Sequence, residues 1–352
     1  MNVSRAILNS LRHGSKNLIM GAINGPFKPR WIWFGVTERC NSRCSYCNIW
    51  KKEPERNELS AREIEDTFSD PIFSNLECVI NSGGEPSLRD DMEAVLLSEH
   101  KVLPKARLQL STNGLLPERV LDIVKFAVKH DICLDVGTSL DAIGSKHDAG
   151  RGVKGNFEKV DWLLRELISL RDLYGPNRIS PTFGFTLTDR TMTSLDEVRE
   201  YSQDLGIDFL VQWYNQSSFY GNEEKDLAVS NNAMMNVVKS LPCSMLNEMW
   251  IKRLHGKSGR FRCFAMRTFA VLKCNGDLAP CLSLWDQKAG NVRNNSPSEI
   301  WNSSESQNAR ACVDKCGGCL NSWGVGWSIN SSFYPYVPFY LKHPRSLLAL
   351  FK

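Results

Sequence analysis

Cys40, Cys44 and Cys47 follow one another with three and then two residues between them. Thiolates at that spacing can wrap one face of an iron–sulfur cubane and leave one iron without a protein ligand. That free position is the chemical point. A cluster closed by four cysteines mostly transfers electrons, whereas an open iron can bind a reactant, by the logic that separates structural from catalytic zinc. The other readings are a zinc site short of its fourth ligand, or thiols that merely pack. Zinc sites usually show paired C-x-x-C elements, and no histidine lies near this loop. Its position directly after a β-like run favours the cluster.

Toward the C-terminus, Cys263, Cys281, Cys316 and Cys319 would make a complete four-thiolate set, the last two as a C-x-x-C. Cys274 or Cys312 could replace one member, and a structural zinc on the same ligands is the alternative. Cys78 and Cys133 fall in β-like runs and Cys243 follows Pro242. Free cysteine is commonly a small buried hydrophobe, so these three are assigned no function. The histidines form no ligand-spaced pair and read as structural or exposed.

Gly83, Gly84, Glu85 and Pro86 end the second β-like run. Glycines let backbone approach a ligand closely, and Glu85 can accept from a bound ammonium, although the same residues also spell a plain turn. Together with the three-cysteine loop they resemble the radical S-adenosylmethionine (SAM) superfamily. The resemblance implies that SAM chelates the open iron of a 4Fe–4S cluster through its amino and carboxylate groups. It further implies that Gly83–Pro86 receive the SAM amino group and that Tyr46 lies near the adenine. Ser111 and Asn113 at the end of the third run, and Ser139 and Asp141 at the end of the fourth, suit ribose or methionine contacts; capping of the following turn is the alternative. Arg151 could pair with the SAM carboxylate or an anionic substrate, or stand in a surface loop. Thr186, Thr188 and Gln212 are further candidates on the fifth and sixth runs.

The C-terminal cysteines resemble the shortened auxiliary domain called twitch, related to the longer SPASM domain with seven cysteines for two clusters. This tail has six and lacks the C-x2-C-x5-C-x3-C run, so one auxiliary 4Fe–4S cluster is expected. Resemblance implies reductive cleavage of SAM to a 5′-deoxyadenosyl radical, which abstracts hydrogen from an unactivated C–H bond. The fold positions the substrate and excludes water. A closed auxiliary cluster suits acceptance of the second electron of a net oxidation. Relatives with one such cluster point to dehydrogenation of a sugar, cyclitol or lipid-linked alcohol; those with the longer domain more often modify peptides or protein side chains. A flavodoxin- or ferredoxin-like electron donor is expected. An iron–sulfur electron carrier or redox sensor is the reading from another class, and it would need neither Gly83–Pro86 nor a barrel.

These groups need a frame. Six β-like runs, Trp31–Thr37, Leu76–Ser82, Ala106–Thr112, Ile132–Ser139, Ile179–Thr188 and Asp208–Tyr214, alternate with helical periodicity. Ser60 to Glu63 is a capping-box pattern, Leu116–His130 opens with Pro117, and Phe157–Leu173 and Ser194–Leu205 follow. Alternation of this kind predicts a parallel sheet with right-handed crossovers. Six units are too few for an eight-fold barrel, so the fold class is α/β, an open partial (β/α)6 TIM-like barrel with chemistry at the C-terminal strand ends. Asn231–Leu254 reads as one or two helices broken at Pro242. The expected segments are a basic amphipathic stretch 1–30, the barrel and following helices 31–256, a cysteine-rich hairpin domain 257–323 and an aromatic basic tail 324–352. Asn275-Gly276 marks the hairpin. The resemblance covers about residues 31–323 and is specific at the first cysteine loop, Gly83–Pro86 and the auxiliary cysteines.

The composition fits a globular enzyme: 42% apolar and 23% charged residues can bury a core, and a net charge of +4 is too small to argue for nucleic acid. Twelve cysteines without an apolar leader at the N-terminus favour metal binding in a reducing cytoplasm over a disulfide framework. No acidic residue precedes Glu38 or follows Asp314. Val3, Ile7, Leu8, Leu11 and Leu18, and the aromatic stretch 333–350, would suit contact with an anionic membrane surface, or packing onto the barrel.

Overall fold

The computed structural model describes residues 27–241, 245–255, 262–316, 319 and 321–331. The amphipathic N-terminal stretch up to residue 26, Cys243, and the tail beyond residue 331 lie outside them, as does the linker 256–261 where a domain boundary is expected.

Six strands run parallel: β1 (Trp31–Thr37), β2 (Cys78–Gly83), β3 (Arg107–Thr112), β4 (Leu134–Ser139), β5 (Ile179–Leu187) and β6 (Phe209–Trp213). The open sheet has the order β6-β5-β4-β3-β2-β1 and continues on the far side of β1 into β7 (Phe269–Leu272), β8 (Asp277–Ala279) and β9 (Gly290–Asn291). Periodicity explains the layering. Along β3, β4 and β5 alternate residues are buried, because side chains alternate across a strand. Leu108, Leu110, Leu134, Val136 and Ile179 face the main apolar core beneath the helices. The opposite face presents Gln109, Ser111, Gly137, Ser139, Thr182, Gly184 and Thr186 to a central cavity. All seven residues of β1 are buried, as a strand covered on both faces and both edges must be.

The helices Ala61–Phe68, Pro117–Lys129, Asn156–Tyr174 and Leu195–Leu205 stand where the periodicity puts them. Ser60 accepts from the Glu63 amide while Glu63 accepts from the Ser60 amide, completing the capping box. A helix at Met92–Val102 had no clear signal. Met92, Val95 and Leu96 are buried but Leu97 is 39% exposed, so its apolar residues do not fall on one stripe. Asn231–Ser240 and Met245–Leu254 are two helices, with Pro242 between them.

The cysteine-rich segment does not stand apart from the barrel. β7 runs parallel to β1, with Trp31 opposite Phe269 and Phe34 opposite Leu272; β8 and β9 then turn back antiparallel, the hairpin pivoting at Asn275-Gly276. Met266, Ala270, Leu272, Leu278, Ile300 and Trp301 belong to the same apolar core as β1–β4. A helix spans Ser322–Ser331, across the division expected at residue 323. The physical reason is size: so short a segment buries little apolar surface alone and gains a core by docking on the edge of β1. Among the described residues no helix is long and apolar enough to cross a membrane.

Candidate active site

At the C-terminal ends of the parallel strands lies a cavity of ≈ 250 Å³. Cys40, Cys44 and Cys47 line it together with Tyr46, Gly83, Gly84, Ser111, Asn113, Ser139, Arg151, Thr186 and Gln212. Residues as far apart in the chain as Cys40 and Gln212 therefore line one cavity, brought there by successive strand ends.

The cysteine loop is held by backbone. The amides of Arg43 and Ser45 donate to the carbonyls of Arg151 (3.0 Å) and Gly150 (2.9 Å). On the other flank the Gly84 amide donates to Thr37 O and the Glu85 amide to Arg39 O. Both glycines are required: a Cβ on Gly83, whose φ is +120°, would sit 2.2 Å from Thr37 O, and one on Gly84 2.1 Å from Arg39 O. A stretch that sequence reasoning missed closes the third side. Asn222 Nδ2 donates to Tyr46 O, Lys225 Nζ to Ser45 O and the Asn48 amide to Tyr220 O. Nothing in the composition of 215–225 signals that role; only the position after β6 could have.

Burial pushes the Cys40 thiol up to about 12 and the Cys47 thiol up to about 11. Thiols so disfavoured as anions need a cation in contact to become ligands, and metal binding there must release protons.

Glu85 does not meet the expectation of an open ammonium acceptor. It is fully buried and absent from the cavity lining. One carboxylate oxygen accepts from Ser87 Oγ (2.6 Å), Thr112 Oγ1 (2.8 Å) and the Ser87 amide (3.1 Å), and the other from the Asn113 amide (2.7 Å). Burial raises its pKa, and these four donors oppose that rise. Its work is to fix the end of β3, and so Asn113, at the cavity. Pro86 is likewise buried, at the first turn of a short 3-10 helix. Asp141 is also corrected from a ligand-facing group to a buried one. Its Oδ2 pairs with Arg151 Nη2 at 2.8 Å and accepts from Tyr46 Oη at 2.9 Å, and its Oδ1 accepts from the Thr186 amide. Arg151 is no surface arginine: it is 5% exposed, stacks 5.4 Å from the Tyr46 ring and places Nη1 3.6 Å from Cys44 Sγ. Thr188 is buried in a turn with Thr191 and does not line the cavity.

The second thiol group forms below, beside β7. The field of Cys319 and Cys263 acts on Cys281, and that of Cys319 and Cys316 on Cys263. Burial is the main reason their thiols rise, to about 12 for Cys281 and about 11 for Cys263. Cys274 lies elsewhere, among Glu38, Glu58 and Glu55, and Cys312 Sγ meets Gln287 Oε1 at 3.7 Å. Cys78 packs among apolar residues beneath the cavity. Among the described residues no three potential ligands stand close enough for one metal ion. Four thiolates here, and three at Cys40, Cys44 and Cys47, are the donor type and number that a closed and an open cubane take, one sulfur at each ligated iron.

Comparison with known proteins agrees with this geometry. The radical SAM superfamily model matches residues 35–180, and the SPASM model, an iron–sulfur cluster-binding domain, matches residues 263–320. Pre-heme d1 synthase of Dinoroseobacter shibae is 32% identical over 187 residues, covering 52% of this chain and 43% of that protein. Fe-coproporphyrin III synthase of Methanosarcina barkeri is 35% identical over 133 residues, 37% of this chain and 32% of that one. A GTP 3′,8-cyclase from Sulfurovum sp. is 33% identical over 146 residues, 36% and 45% of the two chains. The chain thus spans less than half the length of these curated relatives. Streptococcus suis SuiB bound to SAM superposes with a TM-score of 0.63 at 17% identity, covering 86% of this chain and 72% of that one. The enzyme anSMEcpe with bound SAM and a peptide gives 0.57 at 17%, covering 89% and 98%. These two show a common fold. Residues 35–180, with the three-cysteine loop at the mouth of the parallel sheet, are therefore a radical SAM superfamily domain, and residues 263–320, with the cysteine-rich hairpin on β1, a SPASM-type iron–sulfur domain.

Proposed function

We propose that the chain oxidises an uncharged substrate bearing hydroxyl or amide groups. Cys40, Cys44 and Cys47 would hold the SAM-binding 4Fe–4S cluster, and Cys263, Cys281, Cys316 and Cys319 one auxiliary cluster. The observation that carries the substrate class is the lining of the cavity. Its polar groups are neutral, including Gln109, Gln212, Asn215 and Thr182, and the one cation on the described lining, Arg151, is already paired with Asp141. GTP, which the named cyclases cyclise, carries a triphosphate that would enter such a cavity without a counter-charge.

With SAM bound at the open iron, the site would have the one-electron chemistry needed to remove a hydrogen atom from the substrate. The chain's own part is position and exclusion of water. Gln109 and Gln212 lie across the inner face where β4 and β5 carry Gly137 and Gly184; a Cβ there would come within 3.1 and 3.2 Å of the two amide nitrogens. Glycine inside a strand costs roughly 0.5–1 kcal/mol and often marks a close approach. Here it leaves room for two amides that each offer a donor and an acceptor. Trp33, Phe219 and Trp323 wall the cavity with apolar surface. Leu282, Asn321, Ser322 and Trp323, which follow Cys281 and Cys319 in sequence, line the same cavity as the first three cysteines. Substrate would therefore lie between the two thiol sets, where an acceptor for the second electron is needed.

A second reading, modification of a peptide, is favoured by the same amides, which match a peptide unit as well as a diol. SuiB with its precursor peptide SuiA shares the fold at a TM-score of 0.64. Membrane contact through the termini and a flavodoxin-like donor remain part of the proposal.

Anaerobic reconstitution tests the core of this reading. About eight irons per chain and dithionite-dependent 5′-deoxyadenosine are expected in the wild type, against about four irons and no SAM cleavage in a Cys40/Cys44/Cys47→Ala variant. Iron near four in the wild type and near zero in the variant would remove the auxiliary cluster.

A further inference from the structure

Two charges are buried against the loop that carries the first three cysteines. Asp141 is 1% and Arg151 5% exposed, and their contact is 2.8 Å. Desolvation opposes the guanidinium charge, but Asp141, Tyr46 and Cys44 hold its pKa above the ordinary value. Asp141 is fixed from several sides: Tyr46 Oη and the Thr186 amide donate to its carboxylate, and its own amide donates to His147 Nδ1 at 3.2 Å. Arg151 is fixed in turn, with its carbonyl accepting from the Arg43 amide and from Ser42 Oγ. The outcome is a cation held with Nη1 3.6 Å from Cys44 Sγ and a carboxylate one step behind it.

We propose that the Asp141–Arg151 pair sets the reduction potential of the cluster carried by Cys40, Cys44 and Cys47. The proposal rests on ligation by those three cysteines. Reduction adds one negative charge to the cluster, and net local charge and hydrogen bonds to sulfur are the groups through which a protein moves a cluster's potential. A guanidinium donating toward the Cys44 thiolate favours the reduced state; the carboxylate behind it withholds part of that effect. Burial keeps both contributions from being screened by solvent and salt. A pair serving only to brace the loop would hold Arg43 and Ser45 in place without this dependence on sign.

The test is a redox titration followed by electron paramagnetic resonance on the reconstituted full-length protein without SAM. The relevant signal is identified by its change when SAM is then added. Arg151→Gln should lower the midpoint potential, Asp141→Asn should raise it, and the double variant should fall between them. Unchanged potentials in the single variants, or shifts of the same sign, overturn the proposal. Arg151→Gln leaves Asp141 buried without its partner and risks misfolding; Asp141→Asn and the charge-neutral double variant then decide. Absence of any SAM-responsive signal in the wild type would instead refute the cluster assignment itself.

Discussion

Glu99 shows how much a single buried group can tell. It lies on the helix Met92–Val102 with no exposure, and its Oε2 accepts from Asn81 Nδ2 at 2.8 Å. Glu99 Oε1 and Asn81 Oδ1 are both buried without partners among the described residues. Two orphaned acceptors side by side on one acid–amide pair call for a proton on the acid, and burial pushes the Glu99 carboxyl up to about 8. The folded state therefore holds this proton more tightly than the unfolded chain. Its stabilising effect is complete below the unfolded value near 4.5 and is lost as pH rises through about 8. Glu99→Gln keeps the shape and removes the titration. Melting temperatures of wild type and variant, followed from pH 5 to 9, should diverge with rising pH, the variant being the more stable at the alkaline end. Parallel curves would mean that Glu99 is ionised in the fold.

At the scale of elements, the site depends on how closely β1 and β2 end together. The amides of Gly84 and Glu85 hold the start of the cysteine loop, and Gly84 has no room for a methyl group. Gly84→Ala should displace Arg39 and the loop beyond it. We expect iron to fall from about eight to about four per chain, with SAM cleavage reduced by about tenfold or more and the auxiliary cluster retained. Full iron with normal SAM cleavage would show that the loop tolerates the shift. Six parallel strands, four of their helices and the cysteine loop were legible because period-two alternation, capping residues and thiol spacing are local signals. What was not legible is contact across distance. Glu85 and Asp141 looked like ligand groups because their types and strand-end positions suit one, but groups from the end of β3, from β5, from the Cys44 loop and from Arg151 reach them, beside the local Ser87. The strap at 215–225 and the docking of β7 on β1 depend on tertiary packing that no local pattern encodes.

For the whole molecule, continuity of the sheet has an energetic consequence. Arg293 reaches from the auxiliary segment to Glu63 Oε1 (2.6 Å), Asn57 O (2.9 Å) and Glu58 O (3.1 Å), while Trp301 Nε1 donates to Phe27 O at 2.6 Å. Arg293 also holds Glu63 down at about 2, so this brace is at full strength above pH 4.5 and weakens as pH falls from there through about 2. Removing the segment would do more than break such contacts. It would strip β7 from β1, turning a strand buried along its whole length into an exposed edge, and uncover the core around Leu272 and Trp301. Exposed apolar edges pair with other chains. A chain truncated after residue 255 should therefore aggregate or fail to fold, although it keeps all six barrel strands and the first three cysteines. The full chain should unfold in one calorimetric transition at a pH where its clusters stay bound. Two separate transitions, or a soluble truncated barrel that still assembles about four irons, would show that the auxiliary segment is an independent domain and that the shared core contributes little.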